Sequence, residues 1–288
     1  MDDKASLEPD PGLELEVARA RAGDRDALES VVRAVQKDVY RVALRFLWRP
    51  QDAEDATQEI LIRVVTGLGS FRGDSSFRTW VYRVACNTLL SLRKKGRMER
   101  QSVSFDEFGD DLARGLSDDS LAVEYDLDEA LLLEEVKIGC TLAMLMCLDR
   151  NHRLAYILGE ILELDHNEAA EAMEITPAAF RKRLSRARAS ITSFMVSRCG
   201  LVNPANECRC RRRVATAVAL GRVDPANLLF ASSLEQARRF PQVLVKIRQL
   251  EETRRAAALY RSHSHARPSD AFVSWLRKVV DEDPQDAR

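Results

Sequence analysis

Arg181, Lys182, Arg183, Arg186 and Arg188 crowd into eight consecutive positions, interleaved and flanked by Phe180, Leu184, Ala187 and Ile191. The apolar residues recur at three- and four-residue steps, so a helix here buries one face and presents the other as a ridge of positive charge. Guanidinium groups on such a ridge suit phosphates and the guanine edges of duplex DNA. Thr176 can cap this helix and Pro177 suits its first position, while Ala178, Ala179 and Ser185 complete its outward side. Asp165, with Glu168 three residues on, has the form of a capping box before the small apolar run Ala169–Met173. Two amphipathic helices joined by the turn Glu174-Ile175 suit a helix-turn-helix whose second, basic helix reads DNA. A solvated basic helix in a plain bundle is the alternative.

A second constellation mixes cations with aromatics. Phe71, Arg72, Gly73, Asp74 and Ser75 form a capping-rich loop, followed by Phe77, Arg78, Trp80, Tyr82 and Arg83, then Arg93, Lys94 and Lys95. Opening a duplex needs cations along the backbone and flat surfaces or pockets for unstacked bases. The arginines and lysines fit the first need, the aromatics or the loop the second; Phe77 and Trp80 could instead be core. Asp52, Glu54, Asp55 and Glu59, with Gln58, crowd the opening turns of another helix, where the helix dipole favours negative charge. Cys199, Cys208 and Cys210 share a short turn-rich segment with Arg198, Arg209, Arg211, Arg212 and Arg213, which are expected to lower the thiol pKa values. Zinc or another metal at these three cysteines, with His263 or His265 as fourth ligand, or redox sensing, would follow from that; Cys-x-Cys plus one distant cysteine is not a standard zinc spacing.

The elements that must position these groups are read as helices throughout. A chain of 288 residues, 45% hydrophobic and 31% charged, suits two or three modest domains. The net charge of −1 gives no hint of nucleic acid, but basic and acidic residues separate into blocks. Six cysteines are not read as a disulfide framework, and Cys86, Cys140 and Cys147 are read as small buried hydrophobes. The polar start and the lack of a roughly 20-residue apolar run predict no signal peptide, no membrane insertion and a cytoplasmic place of action. Helices are expected over 13–22 with Gly23 as stop, from Asp24 with Val31, Val32, Val35, Val39, Val42 and Phe46 inward, from Asp52 to Leu68, and from Ser76 to the basic end near Arg97. Residues 101–127 are acidic, weakly periodic and linker-like. Helical stretches are expected again over 226–239, 242–261 and 269–280.

Four blocks carry a resemblance. Ala18–Leu28, Asp52–Glu59, Phe71–Trp80 and Phe180–Arg188 are similar, in the right order, to extracytoplasmic-function sigma factors of the sigma-70 family. The resemblance covers residues 13 to about 195 and implies an all-α fold. A disordered tail (1–12) precedes a sigma region 2 domain (13–97); an acidic linker (98–127) leads to a sigma region 4 helix-turn-helix domain (128–196) and a helical C-terminal extension (197–288). It implies a factor without enzymatic activity or required cofactor. Its partners would be core RNA polymerase, promoter DNA and an anti-sigma factor. Asp52, Glu54, Asp55, Gln58 and Glu59 would dock on the polymerase clamp. Phe71, Arg72, Asp74, Ser75, Arg78, Trp80, Arg83, Arg93 and Lys94 would read and melt the −10 element. Thr176, Ala178, Ala179, Arg181, Lys182, Ser185 and Arg186 would read the −35 element, and the linker would thread the polymerase cleft.

The chain departs from the family's pattern at Glu174, where glycine is usual. If that position needs a left-handed backbone, glutamate costs about 1 kcal/mol. Ala178 and Ala179 leave the front of the reading helix short of hydrogen-bonding side chains, which moves −35 reading towards Arg181 and Lys182. The extension is expected to tune activity in cis. A helix-turn-helix regulator working without polymerase explains 165–191 but gives Asp52–Arg97 no purpose; a metal- or redox-sensing regulator is the other alternative. No arrangement of nucleophile and base or phosphate-cradling loop points to an enzyme.

Overall fold

Capping chemistry sets where the helices begin. Asp10 accepts from the Gly12 and Leu13 amides and starts α1 (Pro11–Arg21) two residues before the expected Leu13. Asp24 accepts from Ala27 and starts α2 (Arg25–Leu47). α3 (Pro50–Gly67) opens on Pro50 at its first position and runs into a 3-10 turn, Leu68–Ser70. Ser76 caps α4 (Phe77–Ser91) through the Thr79 amide at 3.1 Å. The computed structural model describes residues 10–92, 103–116 and 127–263, with Pro268, Phe272 and Trp275. Arg93, Lys94, Lys95 and His265 lie outside the described residues, as do most of 98–127 outside 103–116 and most of 269–280.

The expected linker contains a helix. Ser104 and Glu107 form a reciprocal capping box that starts α5 (Phe105–Arg114). Asp106, Glu107 and Asp110 occupy the solvent side, Asp111 pairs with Arg213 and Arg222, and Gly109 and Leu112 are buried, so charge count hid an amphipathic helix. Then follow α6 (Glu129–Met146), α7 (Arg150–Tyr156), a π turn (Ile157–Ile161), α8 (His166–Ala172) and α9 (Pro177–Arg198). In the extension come α10 (Cys210–Ala219), α11 (Leu234–Gln249) and α12 (Glu252–Arg261). α10 was expected as a mere cysteine and arginine patch. Where helical stretches over 226–239 and 242–261 are expected, α11 begins only at Leu234 and runs on through Pro241. Among the described residues the sole strand-like feature is an isolated bridge between Cys199 and Cys208.

Contacts divide the chain into two units. The described residues of Met1–Arg93, Ile157–Lys182 and Pro268–Arg288 form the first. In it α2 packs on α1, α3 and α4, burying Val31, Val32, Val35, Val39, Val42 and Phe46 as the periodicity predicts. Glu14 of α1 accepts the Phe77 amide at 2.8 Å, a second cap on α4. α8 lies on α4 with Ala169, Ala170 and Ala172 buried, their small side chains allowing close approach. Phe272 is buried and packs on Tyr40 of α2, ring centroids 6.5 Å apart.

The described residues of Lys94–Tyr156 and Arg183–Arg267 form the second unit. Its axis is α6, whose Leu132 and Val136 share a core with Val214, Ala217 and Val223 of the extension. Arg153 caps the end of α6, donating to the Leu145 and Leu148 carbonyls at 2.9 Å each. Extension residues wrap the helix. Glu135 accepts the amides of Leu229, Phe230 and Ala231 at 2.9, 2.8 and 2.7 Å. Buried Lys137 pairs with Glu134 and sits 3.5 Å above the Phe240 ring. Tyr260 donates to the Thr141 carbonyl at 2.8 Å. The extension is thus part of this core: α6 buries Leu132, Val136, Ile138, Leu142 and Leu145, and α10 and α11 of the extension pack on it.

Candidate polymerase and promoter interface

α3 separates its residues cleanly. Ala53, Ala56, Ile60 and Val64 are buried, whereas Asp55 is exposed and Asp52, Glu54, Gln58 and Glu59 are half-exposed. Asp52, Asp55 and Glu59 fall on one stripe by helical spacing. Glu59 is tied to Arg63 at 2.6 Å. The outcome is an acidic surface on a rigid helix, suited to a basic partner.

The aromatics of the neighbouring loop do not face solvent. Phe71, Phe77 and Trp80 are 5, 0 and 7% exposed and form a triad with ring centroids 5.5 to 5.6 Å apart. Phe71 and Trp80, expected to meet bases, are packed with Phe77 and fix the loop on α4, since burying such rings outweighs leaving them in water. Gly73, at φ +80, turns the chain so that Arg72 and Asp74 project, their side chains 83 and 74% exposed and paired at 3.1 Å. Ser75 is half-exposed beside them. Arg78 is paired with Asp38, and Arg83 with Glu171 of α8 at 3.9 Å.

The turn and helix downstream take the predicted form. Asp165 caps α8 through the Asn167 amide at 2.8 Å, and Thr176 caps α9 through the Ala179 amide at 3.2 Å. Phe180, Leu184, Ala187 and Ile191 are all buried. Thr176, Ala178, Arg181, Lys182, Ser185, Arg186 and Arg188 are exposed, and Ala179 and Arg183 half-exposed. Glu174 stands at φ +51, so the condition under which glutamate costs about 1 kcal/mol at this turn is met. Sequence reasoning missed Asn87, which is exposed on α4 and donates to Glu174 at 2.9 Å; nothing in its spacing announces it.

A family model described as sigma-70 region 2 matches residues 31–98, and one described as sigma-70 region 4 matches 138–191. The RNA polymerase sigma-H factor of Pseudomonas aeruginosa is 31% identical over 176 residues, 61% of this chain and 89% of that protein. The ECF RNA polymerase sigma-E factor of Escherichia coli K12 is 31% identical over 176 residues, covering 61% of this chain and 90% of that one. The chain belongs to the extracytoplasmic-function sigma factors of the sigma-70 family. A further relative, the sigma factor YlaC of Bacillus subtilis, is 28% identical over 172 residues, 59% of this chain and 93% of that protein. A solved structure, CnrH in complex with the cytosolic domain of CnrY, aligns at a TM-score of 0.44 and 22% identity, covering 63% of this chain and 95% of that one. This sigma factor acts in transcription initiation, with core RNA polymerase and promoter DNA as its partners. Among its described residues no helix is long and apolar enough to cross a membrane.

The cysteines of this sigma factor differ from the sequence expectation. Cys199, Cys208 and Cys210 are joined by Cys140 of α6 around one apolar cavity of about 30 Å³. Cys140 and Cys147 are only partly buried, unlike Cys86. Burial pushes the thiols of Cys199, Cys208 and Cys210 up, outweighing Arg209 beside Cys199, Arg213 beside Cys208 and Lys137 near Cys210. The expected lowering by arginine is therefore reversed. Among the described residues no three His, Cys, Asp or Glu side chains are arranged to hold a metal ion, and His263 instead meets Thr141 at 3.0 Å. A metal at Cys199, Cys208 and Cys210 finds no support in this arrangement.

Proposed function

We propose that the sigma factor docks on core polymerase through Asp52, Glu54, Asp55, Gln58 and Glu59. Arg72, Asp74, Ser75, Arg78 and Arg83, with Arg93 and Lys94, serve the −10 element. Phe71 and Trp80 hold the loop in place for that task. Thr176, Ala178, Ala179, Arg181, Lys182, Ser185 and Arg186 meet the −35 duplex. The observation that carries the reading is α9 itself: capped at Thr176, buried along Phe180, Leu184 and Ala187, and exposed at Arg181, Lys182 and Arg186. An α-helix with this division fits the major groove.

Residues 13–97 then serve as the core-binding and −10 module and 128–196 as the −35 module, with 197–288 acting in cis on them. The protein works by binding rather than by catalysis, beside polymerase in the cytoplasm, and an anti-sigma factor is a further partner of this class. The metal reading of the extension is the minor one. Promoter-dependent run-off transcription with core polymerase on a genomic fragment library tests the assignment. Specific starts that vanish on charge reversal at Asp52 and Asp55 support it. Duplex binding without any core interaction would leave an operator-binding regulator as the account.

A further inference from the structure

Between α9 and α10 the chain makes a closed turn. Cys199 leaves the end of α9, and Cys208 returns beside it in the isolated parallel bridge. The Gly200 amide donates to the Cys208 carbonyl at 3.0 Å, and the Val202 and Asn203 amides donate to the Cys199 carbonyl at 3.2 and 2.9 Å. Asn203 and Asn206 each donate a side-chain nitrogen to the Val196 carbonyl, at 3.0 and 2.9 Å. The turn thereby satisfies carbonyls that the last turn of α9 leaves without a helical partner. Arg209 holds its inside, donating to the Cys208 and Pro204 carbonyls at 3.0 and 2.8 Å. Gly200 is needed for the closure: a Cβ there would lie 2.3 Å from the Cys208 carbonyl oxygen.

Partners in a bridge stand side by side, with backbones about 4.8 Å apart and side chains on the same face. A disulfide spans Cα separations of about 4.4–6.8 Å. Cys199 and Cys208 are free thiols, and both line the apolar cavity of about 30 Å³ that Cys140 and Cys210 also border. A space of that size has room for a molecule of one or two heavy atoms. Burial raises both thiol pKa values, but the Leu201 and Val202 amides and Arg209 oppose the rise at Cys199, and Arg213, Arg209 and Arg212 oppose it at Cys208. Amide donors and guanidinium groups of this kind favour the thiolate, the form that reacts.

We propose that Cys199 and Cys208 are a peroxide-reactive pair that forms a reversible disulfide at the end of α9. The Cys199 thiol gives up its proton and its sulfur attacks one oxygen of hydrogen peroxide. The O–O bond breaks, and the departing hydroxide takes that proton as water, leaving a sulfenic acid. The Cys208 sulfur then attacks the Cys199 sulfur. The S–O bond breaks, and the departing hydroxide takes the Cys208 proton as a second water. Two thiols are oxidised by two electrons and one peroxide is reduced to two waters. The new bond closes a ring around Asn203 and Asn206 and so pins their caps on α9; exchange with a small thiol reopens it. The site stands on this turn alone, whichever DNA element α9 meets.

The test treats the reduced full chain with a small excess of hydrogen peroxide, quenches with catalase and alkylates in urea. The count of free thiols is expected to fall from the six of the sequence by two, to return with dithiothreitol, and peptide mapping to join Cys199 to Cys208. Hydrogen exchange across 196–206 slows at least threefold in the oxidised chain. Cys208→Ala stops at the sulfenic acid, read as a dimedone adduct on Cys199, whereas Cys147→Ala loses two thiols as wild type does. Retention of all six thiols overturns the proposal, as does a linkage between any other pair or oxidation of Cys199 that dithiothreitol does not reverse. These readings are made on wild type and hold whether or not the variants fold.

Discussion

Asn87 Nδ2 donates to a carboxylate oxygen of Glu174 across 2.9 Å, tying α4 to the turn before α9. Glu171, three residues earlier, faces Arg83 of α4 at 3.9 Å. The helix proposed to serve the −10 element is thereby packed on the entry helix of the −35 reader. On that assignment, elements roughly 85 Å apart cannot both be met while these helices touch, and promoter engagement is expected to part them.

Asn87→Ala is therefore expected to cost about 0.5–1.5 kcal/mol of stability and to raise promoter-dependent output by two- to tenfold. Glu174→Gly loses the same hydrogen bond but relieves a left-handed glutamate worth about 1 kcal/mol, so it should be nearly neutral in urea denaturation. Equal destabilisation by the two would show that the φ of +51 at Glu174 carries no strain.

Asp52→Lys with Asp55→Lys should weaken core polymerase affinity ten- to a hundredfold, about 1.4–2.8 kcal/mol. Both side chains stand clear of the buried face of α3, so the melting temperature should fall only by the dipole contribution, about 0.3–1 kcal/mol per charge. Fluorescence titration with core measures the first and a thermal scan the second.

On α9, Arg181 and Lys182 should separate in kind. Lys182→Ala is expected to weaken binding to all sequences alike and to lower the log K against log salt slope by about 1. Arg181→Ala should relax base preference at one position by about 1–3 kcal/mol. A competition assay at two salt concentrations distinguishes them.

Glu135 is buried, and burial raises its carboxyl pKa despite three amide donors that oppose the shift. A raised folded value gives stability that is fully present below the unfolded pKa and lost as pH rises through the folded one. Glu135→Gln keeps an acceptor without this titration. The stability of wild type relative to Glu135→Gln should thus be greatest near pH 4 and decline towards pH 7 in urea denaturation. Glu135→Ala leaves the Leu229, Phe230 and Ala231 amides unpaired and should cost about 2 kcal/mol or more.

Because burial raises their pKa values, Cys140, Cys199, Cys208 and Cys210 should alkylate at least tenfold more slowly at pH 7.5 than in urea. Metal analysis of the purified protein should find less than stoichiometric zinc. A full equivalent of metal removed together with thiol protection would restore the metal-sensing reading.

Local chemistry was legible in the sequence. Asp24, Ser76 and Thr176 cap where their residue types say they should, and Val31–Phe46 and Phe180–Ile191 bury the faces their spacing marks. These are properties of neighbours within a turn or two, and the family followed from four such blocks. The tertiary structure alone decided which groups from distant positions meet. It enclosed Trp80 with Phe71 and Phe77, brought Cys140 to the thiols some sixty positions on, and set Arg222 on Asp111. It also reversed the thiol shift, since burial outweighs charge only once the surrounding packing is known. Periodicity states that a face is apolar but not what covers it, and on α6 the cover is the extension itself, through Phe230, Phe240 and Tyr260.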